Sequence, residues 1–99
     1  MTRREGFEKL EEEIRREKAA ALGRAGERLE AALEEARELG RALDAERDPE
    51  RRVGLLRQYD AARRRADSAR LMLVVQREAI GLRYHRDVDL QFPELPRRS

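Results

Sequence analysis

The residues able to do chemistry are few, and they collect near the C-terminal end. His85 is the only histidine. His85-x-Asp87-x-Asp89 sets an imidazole and two carboxylates at alternate positions, which an extended strand would turn to one side. Such a trio could meet a divalent cation, but a stable site takes its ligands from a rigid scaffold with outer hydrogen bonds to orient them. Two of these three are aspartates in a terminal segment, so the expectation is a solvated polar face and no metal. The Glu-x-x-His pattern of carboxylate-bridged bundles fails as well, because Leu82 stands three residues before His85. Ser68 and Ser99 have no spare imidazole to activate them, and no glycine-rich phosphate loop is present. The chain is therefore read as non-enzymatic, with no catalytic, cofactor-binding or metal residue assigned.

A second constellation is basic. From Glu50 to Arg83 there are nine arginines against four acids, whereas Arg3 to Arg47 carries eleven bases against thirteen acids. Arg63, Arg70 and Arg77 recur every seven residues, with Arg64 and Arg65 beside the first. Such a stripe on a helix could track phosphates, which makes Arg63, Arg64, Arg70 and Arg77 the candidate nucleic-acid contacts. The competing reading pairs the stripe with Glu27, Glu30 and Glu34 on a neighbouring acidic helix, and it is the favoured one. The formal net charge is only +2, and no aromatic residues interleave the arginines to stack bases.

The third feature is apolar. Leu71-Met72-Leu73-Val74-Val75 is the only run of five consecutive apolar residues in a chain that is 44% charged. On a helix five in a row point all the way round, so one neighbouring helix cannot cover them. Leu71, Met72, Val74 and Val75, with Ala19 and Leu22 expected alongside, form the candidate interface. The partner expected on it is a second copy of the chain in a four-helix arrangement.

The elements that must carry these residues follow from periodicity and punctuation. Thr2-x-x-Glu5 is a capping-box pattern, and from it an apolar stripe runs through Phe7, Leu10, Ile14, Leu22, Ala25, Leu29, Leu33, Ala36, Leu39 and Leu43. Asp48-Pro49 then combines a preferred N-cap with a preferred first helical residue. The second seam reads Leu55, Tyr59, Ala62, Ala66, Ala69, Leu73 and Ile80. The expected fold is all-α: a long, coiled-coil-like antiparallel helical hairpin over residues 1–83, with helices 3–47 and 49–83 joined by a turn at 47–49. Antiparallel pairing sets Leu29 by Ala66 and Leu22 by Leu73. The alternative is a three-helix bundle broken at Gly23 and Gly26, each of which costs about 1 kcal/mol in a helix interior. The continuous hairpin is preferred because no Pro, Asn or Ser accompanies these glycines.

Residues 84–99 are expected as an extended C-terminal strap. Val88, Leu90 and Phe92 alternate with Asp87, Asp89 and Gln91, and helix 1 overhangs helix 2, so the strap is expected to fold over Phe7, Leu10 and Ile14. Within it, Phe92-Pro93-Glu94-Leu95-Pro96-Arg97-Arg98 resembles the proline-rich peptides that Src-homology-3 domains bind. That resemblance implies docking of another protein on the tail. The N-terminal residues lead straight into charged helix without an apolar leader core, and no stretch is long enough to span a bilayer, so a cytoplasmic protein is expected. With no cysteine, disulfides and thiolate sites are excluded.

Overall fold

The computed structural model describes residues 2–99. Helix α1 (Arg3–Ala45) and helix α2 (Pro49–Ala79) pack antiparallel as a hairpin, and the short helix α3 (Arg86–Gln91) follows. The molecule measures 71 × 23 × 15 Å, a length that α1 alone nearly accounts for at about 1.5 Å per residue.

Both helix starts are fixed by the residues that punctuate the sequence. The Glu5 amide donates to the Thr2 hydroxyl while the Thr2 amide donates to the Glu5 carboxylate, each over 3.1 Å. The Arg51 amide donates to Asp48, with Pro49 opening α2. Between them, α1 ends at Ala45, two residues earlier than expected. No basic residue occupies its own last turn. Instead the Arg52 guanidinium reaches across from α2 and donates to the carbonyls of Leu43 (2.6 Å) and Glu46 (3.2 Å), neutralising the negative end of α1.

Small residues on one helix face large ones on the other. Ala25, Leu29, Leu33, Ala66 and Leu73 form one buried cluster with Leu22 against it, in the expected register. Gly23 and Gly26 lie inside an unbroken α1, so the three-helix alternative is not adopted. Neither glycine brings another helix close, because a Cβ at either position would meet nothing within 4 Å. Gly40 differs: a Cβ there would stand 3.3 Å from the Tyr59 ring and 3.4 Å from the Arg98 guanidinium. Gly23→Ala and Gly26→Ala should therefore each stabilise the hairpin by about 0.5–1 kcal/mol in urea unfolding. Gly40→Ala should give no such gain, since its propensity advantage is spent displacing Tyr59 or Arg98.

Helix α2 stops at Ala79 rather than near residue 83. Gly81 takes φ +91°, the left-handed conformation glycine adopts without a Cβ penalty. The Gly81 amide donates to Glu78 and the Leu82 amide to Arg77, each over 3.0 Å, the paired bonds of a Schellman stop. This stop turns the chain back on itself, and the expected strap takes a different course as a result. Residues 86–91 are helical rather than extended, which brings Val88 and Phe92, four residues apart, to one side. Val88 is buried, Phe92 and Leu95 pack half-buried against the Leu29–Leu73 cluster, and Leu90 faces out. The tail then runs extended toward the hairpin turn, where Arg98 pairs with Asp44. It moves away from Phe7, Leu10 and Ile14, which stay 61%, 53% and 43% exposed.

Candidate functional site

The seven-residue arginine ladder is the rail on which this tail is laid. Seven residues advance a helix by two turns, about 10.5 Å, and return it to nearly the same face. Arg77 donates to both carboxylate oxygens of Asp87 (2.9 and 3.1 Å) and to the Tyr84 carbonyl (3.0 Å). Arg70 donates to the Phe92 carbonyl and lies 3.5 Å from Asp89. Arg63 is held by Asp60 (3.0 Å) and Asp67 (3.5 Å) on its own helix, and with Arg70 it lines the groove that passes beneath Glu94, Leu95 and Arg97. The side chains of Arg63, Arg70 and Arg77 are only 16%, 12% and 14% exposed. Pairing with Glu27, Glu30 and Glu34 was the expectation for the ladder; its observed partners are α2 itself and the tail, while Glu34 is taken by Arg37 and Arg41. One interhelical pair does form next to the ladder, between Arg65 and Glu35 at 2.9 Å. Arg64 alone among the candidate nucleic-acid contacts is mostly exposed, and it too is paired, with Asp60 at 2.6 Å. The Arg63 hydrogen bond, helped by the charge of Arg64, holds the Asp60 carboxyl below the usual aspartate range.

The His85 trio is taken apart by the same contacts. Arg77 Nε donates to His85 Nδ1 (3.2 Å), which leaves the ring proton on Nε2 to be donated to Glu78 (3.2 Å). Asp87 and Asp89 turn to different arginines. Among the described residues no group of three or more His, Asp or Glu side chains is placed to hold a metal ion.

The proline-rich stretch is likewise occupied within the chain. Leu95 contributes to the core, the Tyr59 hydroxyl donates to the Pro96 carbonyl (2.6 Å), and the Arg98 guanidinium lies 5.3 Å over the Tyr59 ring while pairing with Asp44. Its contacts to Tyr59 first, and to Asp44, raise the pKa of Arg98 further. Leu95 and Arg98, the apolar and basic positions an aromatic groove would read, are thus turned inward.

What remains unpartnered is apolar and runs from the middle of the rod to the end remote from the turn. Among the described residues the exposed large apolar ones are Phe7, Leu10, Ile14, Val53, Leu71, Met72, Val75, Ile80, Leu82, Tyr84 and Leu90, and all but Val53 lie between the middle of the rod and the end remote from the turn. Of the expected interface, Leu71, Met72 and Val75 are 63%, 53% and 48% exposed, and Ala19 is exposed. Leu73 is core, as the pairing register requires. Val74 and Leu22 are only half-exposed: Val74 borders the groove beneath Leu95, and Leu22 packs on the core. Phe7, Leu10 and Ile14, expected beneath the strap, are instead an open surface, and the signal for it in the sequence is their place beyond the last α2 partner. No helix among the described residues is long and apolar enough to cross a membrane. Comparison with protein-family models, curated proteins and solved structures finds no match to this chain.

Proposed function

We propose that this chain is a non-enzymatic interaction module that self-associates through the apolar surface on α2 at Leu71, Met72 and Val75. The observation that carries this reading is the polarity of the rod. Its turn end is closed by Arg52, Tyr59 and the tail, whereas from the middle of the rod to the opposite end large apolar side chains stand in water. Apolar groups grouped in this way, with charged residues around them, mark association surfaces. The arginine ladder supports this reading over a nucleic-acid one, because three of its four candidate phosphate contacts are committed to carboxylates and carbonyls of the chain itself.

Sedimentation equilibrium of the wild type and of Val75→Asp tests the proposal. Val75 is chosen because it is the more exposed of the two valines in the run. A carboxylate buried at an interface there would cost several kcal/mol, comparable with the roughly 8 kcal/mol of a micromolar complex. The variant should be monomeric with its helical circular dichroism intact, and wild-type association should hardly weaken in salt. A wild type that is monomeric at tens of micromolar, or that binds a nucleic-acid duplex with a steep salt dependence, would sink the reading.

A further inference from the structure

The two apolar surfaces of the open end stand in a relation that fits a second copy of the same chain. Helix α1 continues past the end of α2 by about a dozen residues, since Ile80 lines a groove with Arg15, Lys18, Ala19 and Leu22. The molecule is therefore a stepped rod with a notch about 18 Å long at 1.5 Å per residue. Phe7, Leu10 and Ile14 continue the seam that α2 covers farther along, so they look into that notch. Leu71 and Val75 lie about 200° around α2 from the buried Leu73, on its outer face, and begin just beyond the notch.

We propose that two copies dovetail about a twofold axis at the end of α2, each laying the α1 overhang of one on the outer face of α2 of the other. This rests on the self-association reading above and adds to it the segment that occupies the α2 surface. A twofold axis perpendicular to the rods makes the overhang run parallel to the partner's α2. Measured from α1's start, Phe7 and the part of α2 carrying Leu71 lie at mirror distances from the end of α2, and the same holds for Leu10 with Val75 and for Ile14 with Ala79. The register is an offset of about 64 residues, and the three-then-four spacing of the overhang falls on the four-residue steps of α2. Phe7 and Leu10 of one copy thus cover Leu71 and Val75 of the other, and the symmetry repeats the contact, as an isologous interface requires.

Charge agrees with this register. The offset sets Arg3 and Arg4 beside Asp67, and it sets Arg15 beside Glu78. Both acids are more than half exposed, and so are Arg4 and Arg15. In the opposite orientation, with the overhang reversed on α2, Ile14 would face Leu71 and Leu10 would face Val75, which sets Arg15 beside Arg70 and Phe7 beside Glu78. The α2 ends meet at the axis, which brings Ile80 and Leu82 of the two chains together.

The chain has no cysteine, so placed cysteines report the arrangement directly. Leu10→Cys and Val75→Cys chains are oxidised separately and as a mixture. A disulfide-linked dimer that forms in the mixture and in neither variant alone is the expected result. Leu10→Asp should raise the dimer dissociation constant by about a hundredfold, as Val75→Asp does, because both lose the same contact. Solution scattering of the wild-type dimer should give a particle about 105 Å long, from two 71 Å rods that overlap over their open halves. Rapid disulfide formation by Val75→Cys alone, or a dimer that Leu10→Asp leaves intact while Val75→Asp dissociates it, would overturn the dovetail and leave self-association through α2 standing. A wild type that stays monomeric would overturn both.

Discussion

Deleting residues 86–99 is expected to destabilise the hairpin by about 2–4 kcal/mol, with the loss centred on the middle of the rod. Val88 is buried against the cluster that includes Leu29, Leu33 and Leu73, and Phe92 and Leu95 cover the same cluster from outside. Full burial of one such side chain stabilises by about 1.5–3 kcal/mol, and removing the tail also bares the core atoms beneath it. Opposing this, the deleted residues no longer have to be ordered, which keeps the net loss well under the gross burial. The remainder is still a large fraction of the roughly 5–15 kcal/mol that a small domain possesses. Amide exchange should locate it: protection should fall around Ala25 to Leu33 and around Ala66 to Leu73, and stay as it was around Phe7 to Ile14. Val88→Asp should reproduce the pattern with a single residue, because it drives a carboxylate into the same cluster. Loss of protection confined to the first turns of α1 would mean that the tail covers the overhang after all.

The hairpin was legible because several independent local cues point to the same chain path. Thr2 with Glu5 and Asp48 with Pro49 each satisfy amides that a helix start leaves open, and the alternation of alanine and leucine along both seams fixes the register at Leu29 with Ala66. The tail was misread where the cues are short. Six residues fit an alternating and a helical period almost equally well, and Val88 with Phe92 satisfies both. Its direction is set by Gly81, whose left-handed backbone reverses the chain, and a lone glycine near a helix end does not say which way the chain leaves. The ladder of Arg63, Arg70 and Arg77 held the missing information. A heptad of arginines beside the seam, with Asp87 and Asp89 a short reversal away, marks a groove in which carboxylates and free carbonyls must lie, because guanidinium groups that close to a seam cannot all reach water. Leu71, Met72 and Val75 were legible as a surface for the opposite reason: the buried Leu73 uses the only seam available, and its apolar neighbours are carried round the helix away from it.

Tyr59→Ala should be the most destabilising single truncation at the turn end, at about 3–5 kcal/mol, and the smaller cost of Tyr59→Phe should vanish when the tail is absent. Tyr59 is fully buried, Gly40 has no side chain where the ring approaches α1, and the ring's other contacts belong to the tail: its hydroxyl donates to Pro96 and its face carries Arg98. Tyr59→Phe keeps the ring and loses only the hydrogen bond, worth about 0.5–1.5 kcal/mol net. Arg98→Ala removes the cation over the ring, worth about 0.5–1 kcal/mol, together with the Asp44 pair. In a chain ending at residue 85 neither the Pro96 carbonyl nor the Arg98 guanidinium remains, so Tyr59→Phe should cost nothing measurable there, while Tyr59→Ala should still cost the ring's packing against α1. Urea unfolding of the four combinations of Tyr59→Phe with tail deletion therefore isolates a coupling of about 0.5–1.5 kcal/mol between one side chain of α2 and a carbonyl 37 residues away in sequence. Equal costs of Tyr59→Phe in the full and shortened chains would show that the hydroxyl draws its stabilisation from water, and that Val88, Phe92 and the arginine ladder alone hold the tail to the rod.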